Sequence, residues 1–195
     1  MLFRSGDVRD SAGTKNGTIH GNPQFVQGVN GQALKFDGVD DYVETITPFP
    51  KEETNEISIT VRCLIDSVTG DKQTLVSHHS NSDYGYEPAF ERDGKIWVRS
   101  SPDGTQFFST NTGIDYDIGQ WFYAAITIDS IKRSLYIDGI NVWSDNNGGI
   151  NYPADKKLVI GARGYQELYD NNFGGIIDEL RIYNRALSQQ EIQNL

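Results

Sequence analysis

Cysteine is nearly absent from this sequence. Cys63 is the single cysteine among 195 residues, so an internal disulfide is excluded. It lies in the run 57–65, where apolar and polar residues alternate, and it shares a face with Ile59, Val61 and Ile65. A thiol in such a row behaves as a small hydrophobic side chain. We therefore expect Cys63 to be buried and inert.

Long apolar runs and a secretion leader are also missing. No run approaches the roughly 18 apolar residues that cross a bilayer, so we expect no membrane span. Residues 1–4 lead almost directly into polar sequence, which is not the pattern of a signal peptide. We expect Met1 to be a start added to one domain of a longer, multidomain secreted protein.

Positive charge is scarce. The chain has 17 Lys and Arg residues against 27 Asp and Glu residues, which gives a net charge of −10. A protein that binds nucleic acid needs a basic face to neutralise the phosphates. The charge therefore argues against a nucleic-acid partner, and the acidic surface contributes mainly solubility.

Catalytic residue types do not form a recognisable constellation. Asp178 and Glu179 are adjacent, so in a regular strand their side chains point to opposite faces. His78 and His79 are adjacent as well, and His20 is far away in the sequence, so no metal-ligand spacing results. We expect no enzymatic activity. Paired carboxylates from distant strands remain the alternative.

Strand and turn residues are abundant. The 20 glycines, 10 tyrosines and 9 phenylalanines favour strands and tight turns. About thirteen short strands alternate with turn signals, which is typical of a two-layer β-sandwich. Ser188 to Glu191 has the pattern of a capping box, so we expect a short helix to close the chain. No linker or internal repeat divides residues 1–195, and we predict one domain.

The strongest hairpin signal is the Asp-Gly dipeptide at 138–139. A two-residue turn there makes Ile137 oppose Ile140 and Leu135 oppose Val142. All four apolar side chains then lie on one face of the sheet. The sequence therefore predicts a hairpin whose two strands both contribute to the core.

A second tight turn is predicted at 37–41, which contains a glycine and three aspartates. We expect residues 33–36 and 42–45 to pair across it. Turn chemistry alone explains this composition. The alternative is a cation site in which the loop donates carbonyl or carboxylate oxygens.

Three blocks of the sequence match a known family in order. They are GQALKFDGVDDYV at 31–43, GQW to YIDG at 119–139, and GIIDELRIYNRALS at 175–188. They resemble the early hairpin, the central strands and the closing strand of laminin-G-like jelly rolls, within the concanavalin-A-like lectin and glucanase fold. The resemblance covers nearly the whole chain, from about residue 10 to the end.

This resemblance implies an all-β fold, in which two antiparallel sheets form a concanavalin-A-like jelly-roll sandwich with a short C-terminal helix. It implies a non-catalytic carbohydrate-binding or adhesion module of a larger secreted or surface protein, with a glycan or glycoprotein as partner and an extracellular or cell-surface location. The alternatives are a protein-interaction or structural module of a surface or virion protein and, third, a glycan-active enzyme. Glucanases of this fold carry a Glu-x-Asp-x-x-Glu run, which this sequence lacks.

Aromatic residues beside polar ones are the candidates for glycan contact. Sugar rings stack on aromatic faces, while sugar hydroxyls need polar partners. Residues 81–87, the strand around 97 and residues 163–172 supply this mixture. For each aromatic, the alternative is a structural role under a loop or in the core. The predicted ligand-binding residues are Tyr84, Tyr86, Glu91, Trp97, Arg99, Arg163 and Tyr165.

Asp178 is the polar exception on its face of the closing strand, between Ile176 and Leu180. A buried carboxylate needs a hydrogen-bonding or metal partner. The resembled family often has a structural calcium where the closing strand meets the early hairpin and the N-terminal segment. The alternative is that Asp178 caps N–H groups of the turn 38–41 without a metal. The implied calcium ligands are Asp178, Gly38, Asp40, Asp41 and Asn16.

Overall fold

The computed structural model describes residues 2–3, 8–46, 55–68, 70–78, 84–91, 94–153, 156–165 and 168–195, with residues 2, 3, 91 and 165 as backbone alone. Within these residues the chain forms eighteen strands and one helix. The first nine strands are β1 (Leu2–Phe3), β2 (Gly17–His20), β3 (Gln24–Gln27), β4 (Gln32–Asp37), β5 (Tyr42–Thr45), β6 (Ile57–Ile65), β7 (Lys72–Thr74), β8 (Val76–Ser77) and β9 (Ala89–Glu91). The others are β10 (Lys95–Ser100), β11 (Phe108–Asp115), β12 (Trp121–Ile128), β13 (Arg133–Ile137), β14 (Ile140–Asp145), β15 (Val159–Ile160), β16 (Arg163–Tyr165), β17 (Leu168–Asp170) and β18 (Gly174–Tyr183), followed by the helix α1 (Gln189–Gln193). The predicted all-β fold with a short C-terminal helix is confirmed.

The first layer of the sandwich is an antiparallel sheet with the order β14-β13-β12-β6-β18-β4-β3, in which β1 also pairs with β18. Its centre is β6. Ile57, Ile59, Val61, Cys63 and Ile65 are all buried against the second layer, as their alternation predicts. The closing strand β18 lies beside β6, so the C-terminal part of the chain completes the middle of this sheet.

The second layer consists of two four-stranded sheets, β2-β5-β15-β8 and β11-β10-β9-β7. Strands β7 and β8 are separated only by Leu75. The Leu75 N–H donates to the Pro88 carbonyl at 3.2 Å, and its own carbonyl accepts the Gly161 N–H at 2.9 Å. The two sheets therefore continue one another through residues 72–77. We call the side of this layer that points away from the core its outer face.

The predicted burial of Cys63 is confirmed, since its side chain is 0% exposed. Burial also raises the pKa of the thiol, which suppresses the reactive thiolate. We expect native protein to react with a thiol reagent far more slowly than denaturant-unfolded protein, measured as the rate of labelling. Rapid labelling under native conditions would show that the register of β6 is wrong.

The predicted hairpin across 37–41 is wrong. β4 pairs with β18 and β3 in the first layer, whereas β5 pairs with β2 and β15 in the second. Phe36 and Val43 are therefore buried from opposite sides of the core. The turn between them crosses from one layer to the other, a distance of roughly 10 Å that a connection of this length spans.

The hairpin at 138–139 is confirmed at its turn, but its register is wrong further out. Asp138 and Gly139 both have positive φ, 50° and 79°, and Ile137 opposes Ile140. A bulge between Leu135 and Tyr136 then makes Leu135 oppose Trp143 instead of Val142. Ile140 and Val142 lie on an edge strand and are exposed (63% and 36%) rather than buried in the core.

The C-terminal helix begins as predicted. Ser188 accepts the Glu191 N–H, and the Glu191 carboxylate accepts the Ser188 N–H at 2.9 Å, which is a complete capping box. Leu187 and Ile192 bury a small second cluster against the outside of the first layer. This packing leaves the outer face of the second layer as the surface that carries the candidate site.

Candidate functional site

The candidate site lies on the outer face of β10. Ile96 and Val98 of this strand are buried in the core, so alternation directs Lys95, Trp97 and Arg99 to the outer face. This orientation is compatible with the prediction of Trp97 and Arg99 as ligand-binding residues. Because β10 is paired on both sides, with β9 and β11, its side chains are held more rigidly than those of a loop.

Trp97 combines a partly accessible ring with an unsatisfied donor. The indole is half-buried, and the Arg99 guanidinium carbon lies 5.3 Å from the ring centroid, within the range of cation–π attraction. The indole Nε1 is inaccessible to solvent and has no hydrogen-bond partner among the described residues. A buried donor without a partner costs free energy, so it marks a place for a water or a ligand.

A buried ion pair lies beside Trp97. Arg99 Nη1 is 3.7 Å from Glu87 Oε1, and the two side chains expose 7% and 3% of their area. Thr74 Oγ1 donates to the same Glu87 oxygen at 3.1 Å. Charges at this depth need such partners. The pair holds Arg99 against the indole, so Arg99 positions the ring instead of offering an open cation to a ligand.

Glu91 is the acidic residue predicted for this site from the sequence, whereas the structure places Glu87 there. Ala89 opposes Trp97 in the β9–β10 ladder, and the Glu87 N–H donates to the Arg99 carbonyl at 3.0 Å. Glu91 lies two positions further along β9. The register that pairs Ala89 with Trp97 places Glu87 opposite Arg99. The acidic residue of the site could therefore be identified from strand pairing, but not from composition.

A second unsatisfied donor lies on the far side of β9. The Asn171 carbonyl accepts the Thr74 N–H at 2.8 Å, while Asn171 Nδ2 is buried and has no hydrogen-bond partner in the described part of the chain. Asn171 therefore lies beyond β7, three strand spacings or roughly 15 Å from β10. We call Trp97, Arg99, Glu87 and Thr74 the Trp97 site.

The assignment of Tyr86 to a ligand site is wrong. Its side chain is 0% exposed, and its ring packs against His78 and Tyr152, with centroids 5.5 Å and 6.3 Å away. Backbone bridges pair Tyr86 with His78 and with Ser100, which fixes it in the second layer. The polar, glycine-containing surroundings suggested a surface loop, but this pairing turns the ring into the core.

The other predicted ligand residues lie in separate contacts. The Tyr84 ring is half-buried against Phe107, with centroids 4.8 Å apart. The Arg163 guanidinium forms two hydrogen bonds with Asp170, at 2.7 Å and 2.5 Å. Tyr165 belongs to β16, whose backbone pairs with β17. The structure thus joins Trp97 and Arg99 of the predicted set directly, and places Tyr84 and Arg163 in other contacts.

A stack of three aromatic rings also lies on the outer face, over β2 and β5. Tyr42 lies between His20 and Tyr169, with centroid distances of 4.4 Å and 4.0 Å and nearly parallel planes. The Tyr169 hydroxyl donates to Glu44 Oε1 at 2.6 Å, and burial together with this carboxylate raises the pKa of Tyr169. The stack could not be predicted from the sequence, because its rings come from three distant segments.

Asp178 does not share a site with the turn 38–41. Its Oδ2 accepts the N–H groups of Val29 and Asn30 at 2.8 Å and 3.1 Å, and its Oδ1 accepts the Glu179 N–H at 2.9 Å. The loop that Asp178 caps precedes β4, whereas the turn 38–41 follows β4. The carboxylate is therefore satisfied by backbone donors at the opposite end of that strand.

The expectation that Asp178 and Glu179 point to opposite faces is also wrong. Glu179 has a φ of 50° inside a β-bulge, which breaks the alternation of β18. Both carboxylates consequently contact Asn30, at 3.1 Å from its N–H and 3.4 Å from its side-chain amide. Glu179 is also paired with Arg181 at 2.5 Å. These contacts give the two carboxylates structural partners.

Three carboxylates do converge in the turn after β4. One ligand oxygen each from Asp37, Asp40 and Asp41 lies within 4.8 Å of the others. Asp41 is buried and accepts the N–H groups of Asn22 and Asp37 at 2.6 Å and 2.9 Å. Burial raises the pKa of Asp41, partly opposed by these hydrogen bonds. A cation at the turn would favour the ionised form.

The contacts of two asparagines, Asn172 and Asn16, show which of them lies beside this turn. The Asn172 amide nitrogen donates to the Val39 carbonyl, while its Oδ1 is buried and has no hydrogen-bond partner among the described residues. Asn16 is engaged elsewhere, because its Oδ1 accepts the Asp10 N–H at 3.0 Å. The predicted five-residue calcium site is therefore not assembled as a unit. Gly38, Asp40 and Asp41 stay together, whereas Asp178 and Asn16 have other partners.

Comparison with known families agrees with this architecture. A laminin G family model, described as the concanavalin A-like lectin/glucanases superfamily, matches residues 37–193. The chain belongs to this superfamily. The match spans most of the sequence and confirms the resemblance inferred from the three sequence blocks. A search of curated proteins found no match to the sequence.

Several solved structures share the fold of this concanavalin A-like domain. One is domain 4 of AbnA, a GH43 extracellular arabinanase from Geobacillus stearothermophilus, in complex with arabinotriose. Its TM-score is 0.75 at 23% identity, and the alignment covers 96% of this chain and 92% of that one. Identities this low establish the fold alone.

Two similar structures are toxin binding domains. The binding domain of Paraclostridial Mosquitocidal Protein 1 has a TM-score of 0.72 at 17% identity, covering 94% of this chain and 47% of that one. The binding domain of Botulinum Neurotoxin DC in complex with SialylT has a TM-score of 0.71 at 15% identity, covering 94% and 46%. The concanavalin A-like domain thus spans about half the length of these binding domains.

The one helix among the described residues, α1, has five residues and is too short to cross a membrane.

Proposed function

We propose that this domain is a non-catalytic carbohydrate-binding module and that its ligand contacts the Trp97 site. The observation that carries the proposal is the buried indole Nε1 of Trp97, which lacks a hydrogen-bond partner among the described residues while part of the ring remains accessible. A sugar suits such a group, because its C–H face stacks on the ring while a hydroxyl or ring oxygen accepts the N–H.

The comparisons support this proposal at the level of the fold. Two of the similar structures are named as complexes with a saccharide ligand, arabinotriose and SialylT, and two are named as binding domains. The arabinanase is named as extracellular. We accordingly propose an extracellular or cell-surface location and a place as one module of a longer chain, with a glycan or glycoprotein as partner.

A glycan microarray tests the proposed function directly. The intact chain, carrying a fluorescent label on its N-terminus, is applied to printed neutral and acidic oligosaccharides, with heat-unfolded protein as the control. We expect concentration-dependent binding by the folded chain to at least one glycan class. Equal signals from folded and unfolded protein on every glycan would contradict the proposal.

Replacing Trp97 by alanine is expected to weaken glycan affinity by about 1–3 kcal/mol, the scale of one aromatic stacking contact with its burial. Folding should be nearly intact, because the ring lies on the outer face and not in the core. The measurement is a calorimetric titration with the best glycan from the array. The matched control is Trp121→Ala, which removes a tryptophan that is 36% exposed on the first layer. Unfolding of the Trp97→Ala protein, or equal losses in both variants, would place the binding site elsewhere.

A protein-interaction module is the second candidate function. Strand β14 forms one edge of the first layer, and it exposes Ile140 and Val142. Exposed apolar residues on an unpaired edge strand are a template for strand addition by another chain. Ile140→Lys separates the two candidate functions. This substitution should block strand addition at β14 and leave glycan binding at the Trp97 site unchanged.

We also propose that the turn after β4 binds calcium in a revised form of the predicted site. Its ligands would be carboxylate oxygens of Asp37, Asp40 and Asp41, with Asn172 Oδ1 beside them. Calcium prefers hard oxygen donors, which is what this turn offers. The metal would relieve the repulsion between the three carboxylates. Asp178 is left out because backbone N–H groups satisfy it.

Calcium is expected to raise the melting temperature of metal-free protein. A ligand at a hundredfold excess over its Kd stabilises the folded state by about 2.7 kcal/mol. The measurement is thermal unfolding in chelator and in millimolar calcium. Asp40→Asn should abolish the shift, whereas Asp66→Asn, on the first layer, should retain it. A melting temperature that is the same in calcium and in chelator would contradict the calcium site.

A further inference from the structure

We infer that the Trp97 site selects neutral glycans over sialylated, sulfated or uronic acid-rich ones. This inference rests on the proposed glycan-binding function and adds the class of ligand. Recognition of an anionic sugar needs a cation, or a cluster of N–H donors, that is not already committed to a carboxylate. On the outer face, cations are instead paired with carboxylates, as the following contacts show.

Four basic side chains around the outer face are each held by an acidic neighbour. The pairs are Lys95–Asp115 at 2.5 Å, Arg99–Glu87 at 3.7 Å, Lys157–Glu44 at 2.7 Å and Arg163–Asp170 at 2.5 Å. On the backbone, Lys72 of β7 lies opposite Glu91 of β9. A carboxylate or sulfate that approaches any of these cations has to displace a carboxylate that stays attached beside the site and repels it.

The uncommitted donor of the site is neutral. Trp97 Nε1 is buried and has no hydrogen-bond partner among the described residues. It offers a hydrogen bond without a full charge, which matches the hydroxyl and ring oxygens of an uncharged sugar. The buried Glu87 carboxylate beside the ring disfavours an anion. The donor and the nearby charges therefore favour the same ligand class.

The net charge of the whole chain also favours neutral ligands over anionic ones. With a net charge of −10, the protein repels polyanions at low ionic strength and attracts no anionic ligand by long-range steering. Neutral oligosaccharides are unaffected by this field. The affinity for the preferred ligand should consequently change little between low and high salt, in contrast to an anion site.

Matched probe pairs test the inference. A microarray presents each neutral oligosaccharide beside the same chain capped with sialic acid or carrying a sulfate. We expect the neutral member of a bound pair to bind at least about tenfold more tightly in a following calorimetric titration, with little change on addition of salt. Preferential binding of the acidic members would overturn the selectivity while leaving the glycan-binding function in place. Binding of neither member by the folded chain would overturn the function itself, and the selectivity with it.

Two charge variants test the physical cause. Glu87→Gln releases Arg99 at the centre of the site, and Asp170→Asn releases Arg163 at an exposed pair that folding does not depend on. Each substitution should reduce the ratio of the affinity for the neutral probe to that for the acidic probe, and Glu87→Gln should reduce it more. The control Asp66→Asn changes the net charge equally, but it breaks the Lys35–Asp66 pair on the first layer. Equal effects of Asp66→Asn and both outer-face variants would show that overall charge, and not the paired cations, sets the selectivity.

Discussion

Replacing Arg133 by alanine is expected to lower the free energy of unfolding by about 3–5 kcal/mol, the range for breaking a buried ion pair. Arg133 is 0% exposed and binds Asp145 through Nε and Nη2 at 3.0 Å and 2.5 Å. It also donates to the Val98 and Phe108 carbonyls and to Thr110 Oγ1, at 3.1, 2.6 and 2.7 Å. This one guanidinium ties the edge of the first layer to β10 and β11.

The alanine variant leaves Asp145 without its cation and removes one donor from each of two carbonyls. The pairing with Arg133 helps to hold the pKa of Asp145 below its usual value, so the variant should also raise that pKa. Chemical denaturation measures the loss of stability. The matched control is Arg185→Ala, which removes an arginine from an exposed pair with Glu191 and should change stability little. Similar losses of unfolding free energy in the Arg133→Ala and Arg185→Ala variants would mean that Arg133 does not connect the two layers.

Replacing Asp178 by alanine is expected to cost about 3 kcal/mol of stability, because three backbone N–H groups lose their acceptor and each unsatisfied buried donor costs about 1–3 kcal/mol before relaxation. The effect should be the same in calcium and in chelator, since the partners of Asp178 are N–H groups. Asp178→Asn keeps one acceptor oxygen and should lose less. A loss that appears only in calcium would identify Asp178 as a metal ligand after all.

The sequence predicts the central strand β6 well because its signal is local. The alternation of residues 57–65 is enough to identify the side chains that the structure buries. The bulge in β18 was not predictable in this way. Nothing in the residues 178–181 signals that Glu179 adopts a positive φ. The extra residue puts Ile177, instead of the expected Ile176, on the core face with Leu180.

The turn 37–41 illustrates a different limit. Glycine and aspartate favour a tight reversal of the chain, but the same residues suit a hairpin and a crossing between layers. Which of the two forms depends on whether β5 pairs with β4 or with β2 and β15, and that choice is made by long-range contacts. The apolar residues on both sides of the turn are buried in either arrangement.

The site was predictable to the extent that it depends on one strand. Alternation placed Trp97 and Arg99 on the outer face, and the structure agrees. Glu87 required the register of a neighbouring strand. Tyr86 was misassigned because loop-like composition does not reveal that backbone bridges hold the residue in the layer.

The location of the ligand is the central claim, and the three tryptophans allow it to be measured directly. An N–H correlation spectrum of isotope-labelled protein resolves the indole groups of Trp97, Trp121 and Trp143. On titration with the best neutral glycan, we predict a large shift of the Trp97 indole resonance, while Trp121 and Trp143 remain unchanged. Saturable shifts at Trp121 or Trp143 with an unmoved Trp97 resonance would contradict the account.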